Sequence, residues 1–345
     1  MFFIQENMVL NDKERFELIK RNTQEIVPED DLKILLKEKK NPVVYWGTAV
    51  TGKPSIAYLF PLLKLSDFAK AGFKIKVLLA DLHGALDGTP WVVLDRRYDY
   101  YKEIITQMFK VLGTDLNQIE FVKGSEFQLK PEYSFDILKM ASLNSVNDCK
   151  RAAAEVVKFG DNPYLGGLIY PIMQSLDEHY LNVDVQFGGL DQRKILMFAR
   201  ENLPYVGYDP RIEVMNPMIQ GLVGKKMSSS DAKTKIDFID SVEEVKSKVN
   251  KADCIEGDPD NGVMAFLKYV VMVIKQDKKE KFVVERDKKY GGNLDFSNYD
   301  EVEKMFVKKE LHPMDLKMAV AKEISELLSK VDVKKLKALE EKAYE

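Results

Sequence analysis

A strand–helix–strand pattern near the start of the chain places the strongest constraint on the fold. The apolar run at 43–46 predicts a buried strand, and residues 74–80 predict a second one. Pro54 suits the first turn of a helix that we predict over 55–71. Two strands joined through a helix pair in parallel with a right-handed crossover. The chain is therefore expected to contain an α/β domain built on a parallel sheet.

A predicted helix that starts near residue 170 carries a polar row. Tyr170, Gln174 and Asp177 are spaced at i, i+4 and i+7, which puts them on one side of a helix. Pro171 suits its first turn. Either these three side chains bind a ligand, or they are polar groups satisfied within the core. The spacing leaves both interpretations open.

A glycine turn follows this helix. Residues 183–187 predict a strand, Gly188 and Gly189 a turn, and residues 190–200 the next helix. A turn of this kind lets the backbone approach a ligand and aims free N–H groups at it. The pattern favours a site that binds phosphate or ribose.

Further patterns predict additional strands of the sheet and a group of helices inserted between its two halves. A helix is predicted over 96–112, and strands are predicted at 119–122 and 211–215. Helical patterns over 134–161 lie between the two halves of the sheet. We therefore predict a doubly wound, Rossmann-like α/β domain with a helical insertion at about 130–165.

The character of the sequence changes near residue 236. Helical periodicity recurs at 242–249, 262–275, 299–307 and 313–328. A short hairpin is predicted between 282–285 and 294–296. These patterns predict a first domain over 1–235 and a mostly α-helical C-terminal domain over 236–345. Lysine-rich segments in the second domain either face RNA phosphates or form ordinary solvated surface.

Composition excludes several classes of protein. The chain has 345 residues with 52 basic and 55 acidic side chains, so any nucleic acid must meet local basic patches. Two separated cysteines, Cys149 and Cys254, and three histidines argue against a structural zinc site or a disulfide framework. No apolar run reaches the length of a membrane span, and the first residues do not resemble a secretory signal. We expect a soluble, cytoplasmic protein.

Two glycine-containing loops suggest that the protein binds a polyphosphate. In the GKKMSSS sequence at 224–230, lysine charge and hydroxyl donors suit phosphate oxygens, although such a run is also typical of a mobile surface loop. The turn from Gly47 to Lys53 would place phosphates at a helix N-terminus. Pro54 stands where a Walker A motif needs Ser or Thr, which disfavours a P-loop NTPase.

Taken together, these stretches resemble the class I aminoacyl-tRNA synthetases, and within them the tyrosyl-tRNA synthetases of the archaeal and eukaryotic type. The resemblance covers nearly the whole chain. Its motifs are YWGTA and TGKP within 45–54, ADLH at 80–83, EFQL at 126–129, YPIMQ to VD at 170–184, GGLDQRK at 188–194, NPM at 216–218, KMSSS at 226–230 and HPMDLK at 312–317.

The resemblance implies a tyrosine pocket. Tyr45 and Asp177 would read the phenol hydroxyl of the substrate. Tyr170, Gln174 and Gln192 would hold its α-amino group. His83 and Gln128 would line the same pocket, although His83 is equally consistent with a buried structural histidine.

The resemblance also implies a site for Mg-ATP. Gly47 and Gly189 would give backbone room, Asp191 would accept the ribose hydroxyls, and Met218 would flank adenine. The signature loop corresponds to Lys226, Met227, Ser228, Ser229 and Ser230. Ser55 and Ala57 occupy positions of the second signature, where relatives keep a histidine in place of Ser55. Ser229 replaces a lysine of the loop, and a bound cation such as K⁺ is a candidate for the missing charge.

Further positions implied by the resemblance concern tRNA(Tyr) and assembly. Arg151, Arg193 and Lys194 match positions near the acceptor end, and Tyr290, His312 and Asp315 match the anticodon site. Asp315 is equally explained as an acidic residue at a helix N-terminus. The insertion would form the interface of a homodimer.

The activity implied is that of a tyrosine–tRNA ligase, which uses L-tyrosine, ATP with Mg²⁺, and tRNA. No separate metal site is expected. Two alternatives stay open. Ser55 motivates a catalytically weak or inactive tRNA-binding homologue, and a tryptophanyl-tRNA synthetase would share the fold.

Overall fold

The computed structural model describes residues 10–222 and 235–344, which form two compact units. The first unit comprises the chain up to Val50, Lys64–Trp91 and Asp115–Pro217. The second comprises Thr51–Leu63, Val92–Thr114 and the chain from Met218 onward. The predicted loop residues Lys226, Met227, Ser228, Ser229 and Ser230 lie outside the described residues.

A six-stranded sheet forms the centre of the first unit. Its strands are β1 (Glu25–Val27), β2 (Val43–Ala49), β3 (Lys74–Ala80), β4 (Ile119–Lys123), β5 (Val185–Gly189) and β6 (Ile212–Asn216). They are arranged in the order β1-β6-β5-β2-β3-β4, and every pair except β1 with β6 is parallel. The chain winds outward from β2 in one direction and from β5 in the other, which confirms the doubly wound α/β fold.

Helices precede β1, occupy the intervals between the strands and continue beyond β6. Up to residue 202 they are α1 (Asp12–Lys20), α2 (Glu29–Glu38), α3 (Leu59–Lys70), α4 (Asp81–Leu86), α5 (Leu94–Leu112), α6 (Gly124–Gln128), α7 (Pro131–Leu143), α8 (Val146–Ala153), α9 (Leu165–Tyr180) and α10 (Arg193–Asn202). The run from α6 to α9 between β4 and β5 is the predicted helical insertion together with its flanking helices. None of the helices in the described ranges is long and apolar enough to cross a membrane.

The part of the second unit beyond residue 235 is mostly helical, as predicted. Its elements are α11 (Val242–Asn250), α12 (Gly262–Phe266), α13 (Met272–Lys278), β7 (Phe282–Val284), β8 (Leu294–Phe296), α14 (Tyr299–Val307), α15 (Pro313–Leu328) and α16 (Val333–Tyr344). A π-helical turn at Leu267–Val271 joins α12 to α13. β7 and β8 pair antiparallel, which confirms the predicted hairpin.

The start of α9 differs from the prediction. The helix begins at Leu165, so Pro171 lies inside it and not in its first turn. Leu168 and Ile169 pack against the core cluster of this unit, which favours extending the helix in the N-terminal direction. Gly167 stands four residues before the proline, where the ring of an interior proline approaches the backbone.

The buried side chain of Arg15 joins three segments of the first unit. Its Nε donates to the carbonyl of Ala71 at 2.8 Å, and its Nη1 donates to the carbonyl of Leu36 at 2.6 Å. Both carbonyls lie at the ends of helices, where the backbone has no further helical donor. The guanidinium therefore satisfies acceptors on α2 and after α3 from its place on α1.

Replacing Arg15 with Met should destabilise the first unit by about 2–4 kcal/mol, because charge-assisted hydrogen bonds are lost and buried carbonyls remain without donors. The free energy of unfolding in urea measures this. Lys13→Met on the exposed face of the same helix is the matched control and should change it by less than about 0.5 kcal/mol. Equal effects of the two substitutions would show that the Arg15 contacts are dispensable.

Candidate active site

A cavity of about 260 Å³ lies at the carboxyl ends of β2 and β5 in the first unit. The ends of β2, β3 and β5 form its floor, and α4 and α9 contribute side chains to its walls. The predicted site residues that line it are Tyr45, Gly47, His83, Tyr170, Gln174, Asp177, Gly189, Asp191 and Gln192. The cavity therefore brings side chains of the predicted tyrosine pocket together with part of the predicted ATP site.

Asp177 is the buried carboxylate of this cavity. Its Oδ1 accepts hydrogen bonds from Gln128 Nε2 at 2.7 Å and from the Tyr133 hydroxyl at 2.8 Å. Its Oδ2 has no hydrogen-bond partner among the residues described. Burial raises the pKa of Asp177 to about 7, although the bonds from Gln128 and Tyr133 oppose that rise. One oxygen is thus fixed by the protein, and the other is available to a ligand.

His83 lies beside this open oxygen. Its Nε2 is 3.8 Å from Asp177 Oδ2, and its ring packs edge-on against Tyr170 with centroids 4.7 Å apart. Burial lowers the pKa of His83 to about 4, so the imidazole is neutral near pH 7. The Nε2 atom has no hydrogen bond within the described ranges. His83 is both buried and part of the cavity wall, so its geometry is compatible with either of the two predicted roles.

Tyr45 reaches the cavity from the middle of β2. Its hydroxyl donates to the backbone carbonyl of Gln174 over 3.4 Å, which is a weak bond that a ligand can replace. Burial raises the pKa of Tyr45 well above its ordinary value, and the nearby Asp177 charge adds to this. The phenol is therefore a neutral donor at the cavity wall.

Gln174 and Gln192, which both line the cavity, form a hydrogen-bonded pair. Gln174 Nε2 donates to Gln192 Oε1 at 3.1 Å. This bond fixes the amide of Gln174, so its Oε1 is the end that remains for a cationic ligand group. Tyr170 stands one helical turn earlier on the same face of α9. The polar row predicted on this helix therefore faces a cavity and not an apolar core.

Gly188 and Gly189, which were predicted to form a turn, are the last two residues of β5. A Cβ atom on Gly189 would lie 2.4 Å from Oδ1 of Asp191. Burial raises the pKa of Asp191, while backbone amides of Asp191 and Gln192 oppose the rise. A larger residue in place of Gly189 would therefore force the Asp191 carboxylate, which lines the cavity, to move.

Sequence reasoning missed a polar row on one face of the sheet, in which Tyr45 and Gln186 line the cavity. Strand register places Glu213, Gln186, Tyr45 and Lys76 side by side on β6, β5, β2 and β3. In-register neighbours in a parallel sheet point to the same face. Gln186 lines the cavity and stands between the apolar residues of a buried strand, which is the signal that could have identified it.

Glu213 of this row lies close enough to a second buried carboxyl, that of Glu178 on α9, to interact with it. Glu213 and Glu178 are both fully buried, and neither oxygen of Glu213 has a hydrogen-bond partner in the described part of the chain. Burial raises the pKa of Glu178 to about 8, and attraction to Arg211 and Arg200 opposes the rise. Burial also raises the pKa of Glu213, and the neighbouring Glu178 charge adds to it.

Tyr133 of α7 is the second residue that the predictions missed. Its hydroxyl binds Asp177 and also donates to the carbonyl of Met173 at 2.8 Å. It follows the predicted EFQL segment by four residues, and no periodic pattern in the sequence links it to α9. Its role becomes visible only when α7 and α9 pack together.

Several predicted site residues do not line this cavity. Ser55, Ala57 and Met218 belong to the second unit, where Ser55 caps a short 3₁₀ turn by accepting from the amide of Ala57 at 3.4 Å. His312 caps α15, and its Nδ1 accepts from the amide of Met314 at 3.2 Å. Asp315 lies in the first turn of that helix, as one of its two interpretations requires.

The basic residues assigned to the tRNA acceptor end are engaged in ion pairs. Arg193 makes two hydrogen bonds to Glu25, at 2.7 and 2.9 Å. Lys194 pairs with Glu155 at 2.8 Å, and Arg151 pairs with Asp148 at 2.7 Å. These pairs lie at the surface, where exchange of a carboxylate for a phosphate costs little. Within 10–222 and 235–344, no group of three or more His, Cys, Asp or Glu side chains could hold a metal ion.

Comparisons of the sequence with a family model and with known proteins point to the same family. Residues 37–329 match the family model described as tRNA synthetases class I (W and Y). The chain is 45% identical over 342 residues to the cytoplasmic tyrosine–tRNA ligase of Danio rerio, which covers 97% of this chain but 64% of that protein. It is 46% identical to a probable cytoplasmic tyrosine–tRNA ligase of Encephalitozoon cuniculi, over 92% of this chain and 94% of the other.

A solved structure shows the same fold. The tyrosyl-tRNA synthetase of Archaeoglobus fulgidus, crystallised with L-tyrosine, superposes with a TM-score of 0.87 and 38% sequence identity. The match covers 94% of this chain and 99% of that one. The likeness therefore extends over both compact units.

The buried carboxyls predict how stability depends on pH. In the unfolded chain Asp177 and Glu178 ionise near pH 4, whereas in the folded protein their raised pKa values keep protons bound up to about pH 7–8. The native state binds more protons over this range, so the free energy of unfolding should fall by about 1–3 kcal/mol between pH 6.5 and 8.5. His83, whose pKa is lowered, acts in the opposite direction only below about pH 6.5.

Urea unfolding at several pH values measures this dependence. Glu213→Gln should reduce the fall, because it removes one buried carboxyl and the repulsion that it exerts on Glu178. The exposed Glu120→Gln is the matched control and should leave the slope unchanged. A stability that rises with pH over this window would contradict the assignment of protonated carboxyls.

Proposed function

The chain belongs to the class I tRNA synthetases of the tryptophan and tyrosine group, and from that premise we propose that it is a tyrosine–tRNA ligase. The observation that carries the proposal is the open Oδ2 of Asp177 in a cavity that Tyr45 also lines. An acceptor and a phenolic donor placed together suit a hydroxyl group at the end of an aromatic side chain.

The proposed reaction has two steps. The carboxylate of L-tyrosine attacks the α-phosphate of ATP, which forms tyrosyl-adenylate and releases pyrophosphate. The terminal ribose hydroxyl of tRNA(Tyr) then attacks the acyl carbon and releases AMP. The protein supplies orientation and stabilises charge, and no covalent enzyme intermediate is required. Mg²⁺ bound with ATP would neutralise charge on the phosphates.

Selectivity for tyrosine follows from the state of Asp177. Because Gln128 and Tyr133 already occupy Oδ1, the phenol hydroxyl of the substrate would donate to Oδ2, with Tyr45 and His83 alongside. Phenylalanine has no hydroxyl and would leave the buried carboxylate without that donor, which costs free energy. Gln174, oriented by Gln192, and Tyr170 would accept from the substrate ammonium.

The nucleotide would bind next to the amino acid. Gly47 and Gly189 leave room for its approach, and Asp191 would accept from the ribose hydroxyls. Ser55, Ala57, Met218 and the loop from Lys226 to Ser230 are proposed to contact ATP on the basis of the family signatures. A K⁺ ion is the candidate for the charge that Ser229 does not supply.

The proposal includes two domains and a tRNA partner. We assign catalysis to residues 1–235 and anticodon binding to residues 236–345. Arg151, Arg193 and Lys194 would contact the acceptor end. Tyr290, whose side chain is 66% exposed, would stack on an anticodon base. His312, at the N-cap of α15, and Asp315, in its first turn, would contact the same base. We also propose a cytoplasmic location, in keeping with the names of the relatives.

Tyrosine-dependent exchange between ATP and pyrophosphate tests the function. The wild-type protein should catalyse this exchange with tyrosine and not with tryptophan. Asp177→Ala should lower the tyrosine-to-phenylalanine preference by about 10- to 100-fold, since a hydrogen bond to a charged group contributes ~1.5–3 kcal/mol. The exposed Asp209→Ala should leave the preference unchanged.

Three outcomes would redirect the proposal. Exchange that depends on tryptophan would favour a tryptophanyl-tRNA synthetase. No exchange with any amino acid in the presence of Mg²⁺ and K⁺ would favour the tRNA-binding homologue that Ser55 motivates. An unchanged tyrosine-to-phenylalanine ratio in Asp177→Ala would remove the role given to that carboxylate.

A homodimer is proposed through the insertion. Large apolar side chains of this segment are solvent-exposed in the single chain, namely Phe135, Leu138, Leu143, Val146, Tyr164 and Leu165. A concentration of such residues is typical of an interface. We expect a C2 dimer, in which one patch meets its own copy.

Leu138→Glu should convert the dimer to a monomer, because two like charges would be buried at the interface. Light scattering coupled to size-exclusion chromatography measures the mass. Ile34→Glu, at a residue of α2 that is 51% exposed, is the control and should remain dimeric. A wild-type protein that is monomeric at tens of micromolar would exclude the proposed interface.

A further inference from the structure

The turn at 51–53 follows β2 and is held by side chains of α5. Arg97 Nη1 donates to the carbonyl of Thr51, and the Tyr101 hydroxyl donates to the carbonyl of Gly52. Both donors belong to the second unit, as does the turn itself. α5 therefore fixes two successive peptide groups of this turn.

Helix α16 binds the same turn from residues near its C-terminal end. The Tyr344 hydroxyl donates to the carbonyl of Gly52 at 2.8 Å. Glu340, one turn earlier on α16, forms a salt bridge with the ammonium of Lys53. Lys53 Nζ also lies 5.4 Å from the centre of the Tyr344 ring. Helix α16 thus contacts the backbone of the turn and also Lys53, its charged residue.

Several contacts fix α16 against α5. The Arg97 guanidinium lies 4.7 Å from the centre of the Tyr344 ring. At the other end of the helix, Lys335 pairs with Glu103 at 2.7 Å, and the amide of Asp332 donates to Gln107 at 2.7 Å. α16 is therefore anchored along its length and is not merely in local contact with the turn.

The carbonyl bonds determine where the amide groups of the turn point. In a trans peptide, the N–H of each residue points opposite to the carbonyl of the preceding one. The N–H groups of Gly52 and Lys53 are thus directed away from the side chains that hold Thr51 and Gly52. In the described ranges these two N–H groups have no hydrogen-bond partner. Successive free N–H groups beside a lysine form an anion-binding arrangement.

We propose that Tyr344 and Glu340 of α16 are positioning residues for ATP, which act on its phosphates through the turn at 51–53. Tyr344 holds the backbone in the conformation that presents its amides. Glu340 holds the Lys53 ammonium, and a phosphate must displace this carboxylate before the lysine can bind it. This inference rests on the proposed use of ATP by the enzyme.

Substitutions of Tyr344 and Glu340 should change the KM for ATP in opposite directions. Tyr344→Phe removes the hydroxyl bond to Gly52 but keeps the ring over Arg97, and should raise the KM for ATP by about three- to tenfold. Glu340→Gln removes a competing negative charge, and should lower that KM by about two- to fivefold. The KM for tyrosine should stay within about twofold of wild type in both variants, because the tyrosine pocket lies in the first unit.

The experiment is ATP–pyrophosphate exchange with ATP and tyrosine varied separately, accompanied by calorimetric titration with a non-hydrolysable ATP analogue. The exposed Lys342→Gln on the same helix is the control and should leave the KM for ATP unchanged. Lys335→Gln breaks an anchor at the far end and reports any general weakening of α16. Thermal unfolding midpoints confirm that each variant is folded. A general weakening of α16 would move both variants and Lys335→Gln in one direction.

Each outcome supports or overturns the proposal. Opposite shifts in the KM for ATP support it. Unchanged values, or shifts of the same sign in Tyr344→Phe and Glu340→Gln, overturn it. If the wild-type protein shows no exchange, the proposed function fails. The titration then still decides the role of α16, since equal affinities of wild type and variants for the analogue, or no binding at all, also overturn it.

Discussion

The divergence of the chain after β2 and β5 is the constraint on which the candidate site depends. These strands are parallel neighbours, yet the sheet continues from β2 through β3 and from β5 through β6, on opposite sides of the pair. The connections that follow therefore separate, and a crevice opens at the carboxyl ends. α9 runs along this crevice and directs Tyr170, Gln174 and Asp177 into it.

The polar groups in this crevice are kept at a cost in stability. Asp177, Glu178 and Glu213 are fully buried, and burial favours the neutral form of each. This cost is offset only in part, by the hydrogen bonds of Gln128 and Tyr133 to Asp177 and by the attraction of Arg200 and Arg211 to the two glutamates. A buried oxygen without a protein donor is unfavourable, and it is stabilised when a ligand with a matching donor binds.

Much of the fold could be predicted because strands and helices carry separate periodic signals. The apolar runs that became β2, β3 and β5 were visible in the sequence, and the spacing of Tyr170, Gln174 and Asp177 placed them on one helical face.

Other features could not be predicted, because they depend on packing. The predicted position of Pro171 in the first turn of a helix was wrong, since packing of neighbouring apolar residues starts α9 before the proline. β1 was missed, since its three residues are half-buried and pair antiparallel at the edge of the sheet. Tyr133 and Gln186 were missed because their importance arises from contacts between distant segments.

The in-register row on the sheet also bears on how the pocket can change. Glu213, Gln186, Tyr45 and Lys76 are lateral neighbours on one face, so each side chain limits the space and the charge available to the next. Residues in such contact do not contribute independently to stability or binding. A chain that adapts to a larger or differently charged aromatic amino acid would therefore have to alter Tyr45 together with Gln186. Substitutions on neighbouring strands of this row are therefore expected to be non-additive, so that the effect of one depends on the residue beside it.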